Sequence, residues 1–299
     1  MTWRQIVLLA CMALLLGGCT PVNSNSSSPG SQSSAYIQNK GSDTMVNLAL
    51  AWAEAYQELH PEVRISVTGG GSGTGLTALL NGTVDIANAS RAIKAEELEA
   101  ARSAGMDPME FTVARDAIAV IVHPDNPIQQ LTLQQISGIY KGEITNWTQV
   151  GGDDRPIVKL SRETNSGTHV YFLEEVVRMG NADDPSIFSA DTLLMPSSEG
   201  IIAEVRDNPN AIGYDGLGYV TEDVKVLAIS REAGGPFVMP SIETVNSLEY
   251  PIARDLYLYT RTGELEGAIQ AYLEWILSAD AQKIVSDLGF VPVLAAEQP

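Results

Sequence analysis

Short apolar runs alternate with helical patterns along most of this chain, and that alternation limits its architecture more than any other feature. Residues 63–68 read as a strand, 76–81 as a short helix, 83–89 as a strand and 95–103 as a helix. Farther on, 132–140 and 168–179 are helical, 157–160 is a strand, and 211–220 is a strand with a turn. Two continuous apolar stretches, 117–122 and 255–260, read as buried strands. Residues 267–277 and 279–288 close the chain as helices with Ala- and Leu-rich faces. This order predicts an α/β fold with mostly parallel sheets flanked by helices.

Three times, a Gly/Ser/Thr loop runs directly into a helical pattern: Gly41-Ser42-Asp43-Thr44, the glycine run 69–75 around Ser72, and Asn165-Ser166-Gly167-Thr168. A helix start presents unpaired N–H groups and the positive end of the macrodipole, so each loop can seat an oxyanion. Three such seats point to one small, multiply charged anion held by several loops at once. In the first, Ser42 or Asp43 caps a helix over 44–59 with Val46, Leu50, Ala53 and Tyr56 on one face. In the second, the glycines around Ser72 let the backbone approach a ligand closely, and no Walker A or dinucleotide spacing is present. The third is the strongest, because Arg162 leaves a strand end four residues before Ser166. Its planar guanidinium can donate two parallel bonds to an oxyanion while the helix start supplies N–H and hydroxyl donors.

Catalysis has less support in the residues. His60 and His123 precede prolines, and His169, beside Ser166-Gly167-Thr168, reads as a helix-surface residue rather than a general base. No G-x-S-x-G elbow, metal-ligand spacing or cofactor motif occurs. The acidic pairs Glu96-Glu97 and Asp153-Asp154 read as solvated faces or turns.

With 299 residues and 44% apolar content, the chain is long enough for two domains with a sizeable core. A formal net charge of -19 argues against nucleic acid or an anionic membrane surface as partner. An anion must therefore be bound by local geometry rather than by long-range attraction. The N-terminus has Arg4 before an apolar run, 6–16, too short to span a bilayer and suited to a signal peptide. Leu16-Gly17-Gly18-Cys19 resembles a bacterial lipobox, which implies cleavage after residue 18 and lipidation of Cys19. Residues 20–35 are almost all Ser, Asn, Pro, Gly and Gln, the composition of a flexible tether. Cys11 falls in the segment to be removed, so the mature protein has no thiol pair for a disulfide.

These loops, together with Leu131-Thr132-Leu133-Gln134-Gln135-Ile136 through Ile144-Thr145-Asn146-Trp147, Ala211-Ile212-Gly213-Tyr214 and Tyr250-Pro251-Ile252-Ala253-Arg254, closely resemble the phosphate-binding proteins of bacterial ABC phosphate importers. The resemblance covers about 41–291. It implies a two-domain clamshell of the type II periplasmic-binding-protein kind with two crossing strands. Phosphate would sit noncovalently in the interdomain cleft, without cofactor or metal, and the closed monomer would dock on a membrane permease. Domain I would comprise 36–116 and 251–299, and domain II 117–250, after a signal peptide (1–18) and a lipidated linker (19–35). Ligand-binding roles fall on Ser42, Thr44 and the Met45 backbone, on Ser72, and on Arg162, Ser166, Gly167 and Thr168. Well-known members carry an aspartate after the second strand that accepts the proton of bound phosphate. Here Ser90 or Arg91 falls at that place, and Asp43 is the nearest candidate to replace the acceptor. Other readings are a binder of sulfate or molybdate, a secreted phosphatase-like enzyme using Ser72 or Ser166, and a sensor or adhesin with the same clamshell.

Overall fold

The computed structural model describes residues 35–264 and 267–293. The signal peptide, Cys19 and nearly all of the linker lie outside the described residues.

The first strand, β1 (Ala35–Gly41), has no continuous apolar run, because Gln38, Asn39 and Lys40 interrupt it. It nevertheless lies inside the sheet, parallel to β2 (Val63–Thr68) on one side and β3 (Ile86–Ala89) on the other. Ile37 points into the core while Tyr36 stays exposed, the alternation expected of a strand with two different faces. Helix α1 (Val46–Leu59) follows β1 through a short 3-10 turn at Asp43–Met45. Its buried face is Leu48, Ala49, Trp52, Ala53 and Tyr56, whereas Leu50, expected on that face, is 45% exposed. The bulk of Trp52, which seats its indole N–H on Ala281 O at 3.0 Å, decides the rotation.

Helix α2 (Ser72–Leu80) starts inside the glycine run, four residues earlier than the pattern predicts. Its close approach to β1 is the reason: a Cβ at Gly75 would lie 2.4 Å from Lys40 O and 2.6 Å from Gly41 Cα. Helix α3 (Ala95–Ser103) precedes a long strand, β4 (Pro108–Val122). Then come β5 (Gln130–Thr132), α4 (Leu133–Lys141), β6 (Val158–Arg162) and α5 (Gly167–Phe172). The helix expected to run to 179 is α-helical only as far as Phe172, and Leu173–Val177 continues it as a π turn. Next are β7 (Leu193–Met195), α6 (Ser198–Asp207), β8 (Ala211–Gly216), β9 (Lys225–Val226), β10 (Ala228–Ser230) and α7 (Ile242–Asn246). The chain closes with β11 (Ala253–Arg261), α8 (Gly267–Ile276) and α9 (Ala279–Asp287).

The main sheet runs β2-β1-β3-β11-β4-β8-β6-β7, with β9 also on β4. Its remaining pairs are parallel, but each antiparallel ladder between these strands involves β4 or β11. Those two strands run antiparallel to each other and join two α/β halves. One half packs Ile37, Trp52, Tyr56, Ile86, Leu256, Tyr272 and Phe290 together. The other gathers Ile118, Val120, Ile136, Tyr140, Trp147, Phe172 and Tyr214. Strand β4 gives Val113 and Ala114 to the first core and Ala117 through Val122 largely to the second, so it passes from one to the other. This is a clamshell crossed by two strands, with mixed pairing only at the crossings.

Candidate functional site

Each of the three loops follows the C-terminal end of a strand, β1, β2 or β6, and hydrogen bonds join the loops to one another. In the first, Ser42 N–H donates to Asn88 O at 3.0 Å, and Ser42 Oγ donates to Ser90 Oγ at 2.9 Å. Neither Ser42 nor Asp43 caps α1 through its side chain. Asp43 is drawn instead into longer-range contacts: Oδ1 accepts from Gly70 N–H at 2.9 Å and Oδ2 from Arg162 Nη2 at 2.8 Å. Tyr219 from the second half donates to Asp43 O at 2.6 Å. The Met45 N–H donates to Ser42 O at 3.1 Å.

In the second loop, Ser72 Oγ accepts from Ser90 N–H at 3.0 Å and lies 3.2 Å from Ser90 Oγ, so Ser42, Ser72 and Ser90 form one buried hydroxyl cluster. The third loop rests on it. A Cβ at Gly167 would fall 2.4 Å from Ser72 Oγ and 2.6 Å from Ser90 Oγ, a separation only glycine permits here without displacing the serines. Ser166 caps α5 by accepting from Thr168 N–H at 3.2 Å. Thr168 Oγ1 meets Thr44 Oγ1 at 2.9 Å across the halves. Gly73 N–H donates to Asn165 O at 3.1 Å and Asn165 Nδ2 to Gly70 O at 2.9 Å, so the loops also touch through their backbones.

Arg162 ends β6 with its side chain 1% exposed. Besides Asp43 it donates to Ser198 Oγ at 2.9 Å and Pro196 O at 3.2 Å, and its Nη1 lies 3.8 Å from Asp215. Ser198 passes the polarity on, donating to Asp215 Oδ1 at 3.0 Å. The Arg162 Nε is buried without a hydrogen-bond partner. An arginine so enclosed needs compensating negative charge, which Asp43 and Asp215 supply.

Arg91 is placed differently. Its guanidinium makes a two-bonded pair with Glu97 at 2.8 and 2.7 Å, and that bidentate geometry commits it to α3. Glu97 is therefore not a solvated charge, and Arg91 holds its carboxyl below the ordinary value against the opposing effect of burial. His169, expected on the helix surface, is buried: its Nδ1 lies 3.0 Å from Ser161 Oγ and its ring is 4.6 Å from that of Phe188. Ser72 and Ser166 thus have no histidine base beside them, as the only imidazole in this loop is engaged by Ser161.

Sequence reasoning missed four charged or polar groups around the loops: Arg254, Asp116, Ser198 and Asp215. Arg254 comes from β11 and Asp116 from β4, and they pair at 3.1 Å. Each stands one residue before an apolar stretch, 117–122 or 255–260, and the sequence signal is a charge at that edge, with Arg254 also ending the family-like segment Tyr250-Pro251-Ile252-Ala253-Arg254. Arg254 Nη2 also reaches Thr168 Oγ1 at 2.9 Å and Thr44 Oγ1 at 3.4 Å. Burial pushes the Asp116 carboxyl up to about 6 despite the Arg254 guanidinium, which pulls the other way. Asp215 is likewise raised, first by burial. The arrangement gathers buried hydroxyls, helix-start amides and guanidinium N–H groups from both halves, a donor set suited to a compact oxyanion and lacking an activated nucleophile.

A family model described as the PBP superfamily domain matches residues 26–280. A phosphate-binding protein PstS of Pseudomonas aeruginosa is 34% identical over 278 residues, covering 88% of this chain and 84% of the relative. The chain belongs to the PBP superfamily, in the PstS family of phosphate-binding proteins. PstS of Bacillus subtilis is 32% identical over 295 residues, 96% of this chain and 93% of the relative. Among solved structures, a putative phosphate ABC transporter substrate-binding protein with bound phosphate from Clostridium perfringens superposes with a TM-score of 0.77. It is 32% identical and covers 87% of this chain and 100% of its own. These relatives are named as phosphate-binding and transporter substrate-binding proteins, not as enzymes.

Proposed function

We propose that this protein captures inorganic phosphate between its two halves and delivers it to an ABC importer, held at the membrane by lipid on Cys19. The reading rests on one observation above the others: Arg162, 1% exposed, sits where the loops bearing Ser42, Thr44, Ser72, Ser166, Gly167 and Thr168 converge. The printed names of the relatives support phosphate as the anion and an ABC transporter as recipient. Residues 36–116 with 251–299 would form one lobe and 117–250 the other, so that ligand bridging the loops selects the closed state.

Asp43 serves as the acceptor that distinguishes phosphate. Its carboxylate shares Arg162 with the anion, and a protonated phosphate oxygen can donate to it where fully ionised sulfate cannot. Ser90 supports the hydroxyl cluster, and Arg91 stays with Glu97.

Thermal unfolding with a panel of oxyanions tests the assignment, because a ligand that binds only the folded state raises the midpoint with the logarithm of its concentration over Kd. Phosphate should raise it most. A larger shift with sulfate or molybdate would replace phosphate as the ligand, and no shift with any of them would refute the site. Incorporation of radiolabelled palmitate, lost in Cys19→Ala, tests the anchor.

A further inference from the structure

Arg254 lies on a crossing strand and belongs to neither of the glycine-rich loops nor to the Arg162 segment, yet its guanidinium touches both halves. Nη2 donates to Thr168 Oγ1 at 2.9 Å and approaches Thr44 Oγ1 at 3.4 Å, while Asp116 Oδ2 holds it at 3.1 Å. Tyr171 covers it, with the guanidinium carbon 5.5 Å from the ring centroid and the phenol donating to Ala253 O at 2.6 Å. Asp116 is fixed in turn by Leu217 N–H at 3.3 Å, and a Cβ at Gly216 would come within 2.9 Å of both its carboxylate oxygens. Nε and Nη1 of Arg254 are buried without a hydrogen-bond partner, so Nη2 makes all of these hydrogen bonds.

A threonine hydroxyl has one proton to give and lone pairs to receive. When its oxygen accepts from a guanidinium that cannot lose its protons, one lone pair is taken up and the hydroxyl proton is turned toward another acceptor. Thr44 and Thr168 touch each other at 2.9 Å, so at most one of the pair gives its proton to the other, and the second points elsewhere. An oxyanion between the halves would take both protons.

Resting on the phosphate reading, we propose that Arg254 is a positioning residue: through Thr44 and Thr168, one on each half, it sets both hydroxyls as donors and so raises affinity for the anion without contacting it. Asp116 anchors it by balancing its charge and taking one Nη2 hydrogen, which leaves the other Nη2 hydrogen to Thr168 and Thr44.

The test is a double-mutant cycle read by calorimetric titration with sodium phosphate on the full chain. Arg254→Met should weaken binding about tenfold, the effect of losing a charge-assisted hydrogen bond. In a Thr44→Val/Thr168→Val background the same change should add less than about twofold, because the groups through which Arg254 acts are gone. Arg254→Lys, which keeps the charge and N–H donors but not the planar fork, should recover part of the loss. Equal losses in both backgrounds would mean that Arg254 acts on the anion directly or through general stability, and would overturn the proposal. So would unchanged affinity in Arg254→Met. If Arg254→Met leaves Asp116 unpaired and the chain does not fold, Asp116→Asn/Arg254→Met removes both charges and carries the same cycle. Absence of phosphate binding by the unaltered protein would instead strike at the phosphate reading itself.

Discussion

Asp43 Oδ2 accepts a 2.8 Å hydrogen bond from Arg162 Nη2 across 119 residues of chain, tying a loop of one half to a strand end of the other. On the proposed phosphate reading, the carboxylate and an incoming anion would share one guanidinium. Two negative groups so close are tolerated best when a proton lies between them, and phosphate carries such a proton near neutral pH.

Asp43→Asn should therefore relax discrimination between phosphate and sulfate, since the amide can donate to a sulfate oxygen where the carboxylate repels it. Isothermal titration with phosphate in the presence of excess sulfate measures this. Stronger competition by sulfate in the variant is expected, and equal competition would remove Asp43 from the selectivity mechanism.

Arg162→Ala should abolish most phosphate affinity. A buried charge-assisted hydrogen bond contributes about 1.5–3 kcal/mol, and Arg162 has the geometry to make two. It also balances Asp215, whose remaining buried Oδ2 has no hydrogen-bond partner, so the variant should unfold at lower denaturant as well. Arg162→Lys keeps the charge but not the fork, and should bind with intermediate strength. Calorimetry on the three proteins, with their urea midpoints, checks the order.

Gly75→Ala tests the glycine run as packing rather than as ligand contact. The added Cβ would meet Lys40 O at 2.4 Å and Gly41 Cα at 2.6 Å, both backbone atoms of β1 that cannot swing aside. Overpacking of this kind costs about 1–3 kcal/mol, and rigid neighbours place it at the upper end. A fall in the urea midpoint with unchanged slope is the expected outcome.

Asp116 provides a pH dependence with a definite sign. Burial raises its carboxyl from an ordinary value near 3.8 to about 6, so the folded protein holds this proton more tightly than the unfolded chain. Its contribution to stability is complete below about pH 4 and is lost as pH rises to about 6, with no further change above. The displacement corresponds to about 3 kcal/mol. Subtracting the stability curve of Asp116→Asn from that of the unaltered protein should isolate this decline. Carboxyl NMR should show Asp116 titrating well above the exposed aspartates.

Much of the fold was legible because the apolar periodicity is strong. Residues 63–68 and 95–103 lie where the pattern places them, and the apolar stretches 117–122 and 255–260 mark the two strands that cross between the halves. Strand β1 was invisible because burial between two parallel neighbours, not its own composition, makes it a strand. The three loops were legible as helix starts, where glycine and hydroxyl residues are favoured, although Ser166 caps its helix as expected and Ser42 and Asp43 do not.

Partnership was not. Arg162 and Arg91 look alike as residues, but one is enclosed by Ser198, Pro196 and Asp43 while the other is occupied by Glu97 six residues away. His169 lies beside a serine in sequence and bonds a different one, Ser161, in space. Arg254 and Asp116 carry no local pattern and meet only because β11 and β4 pair antiparallel. Helix and strand patterns are short-range and repeat within one element, so the sequence alone determined the α/β layering and the loops that open the helices. Arg162 meets Asp43 and Arg254 meets Asp116 over more than 100 residues, through strand register and crossing, and only the tertiary structure decided those pairs.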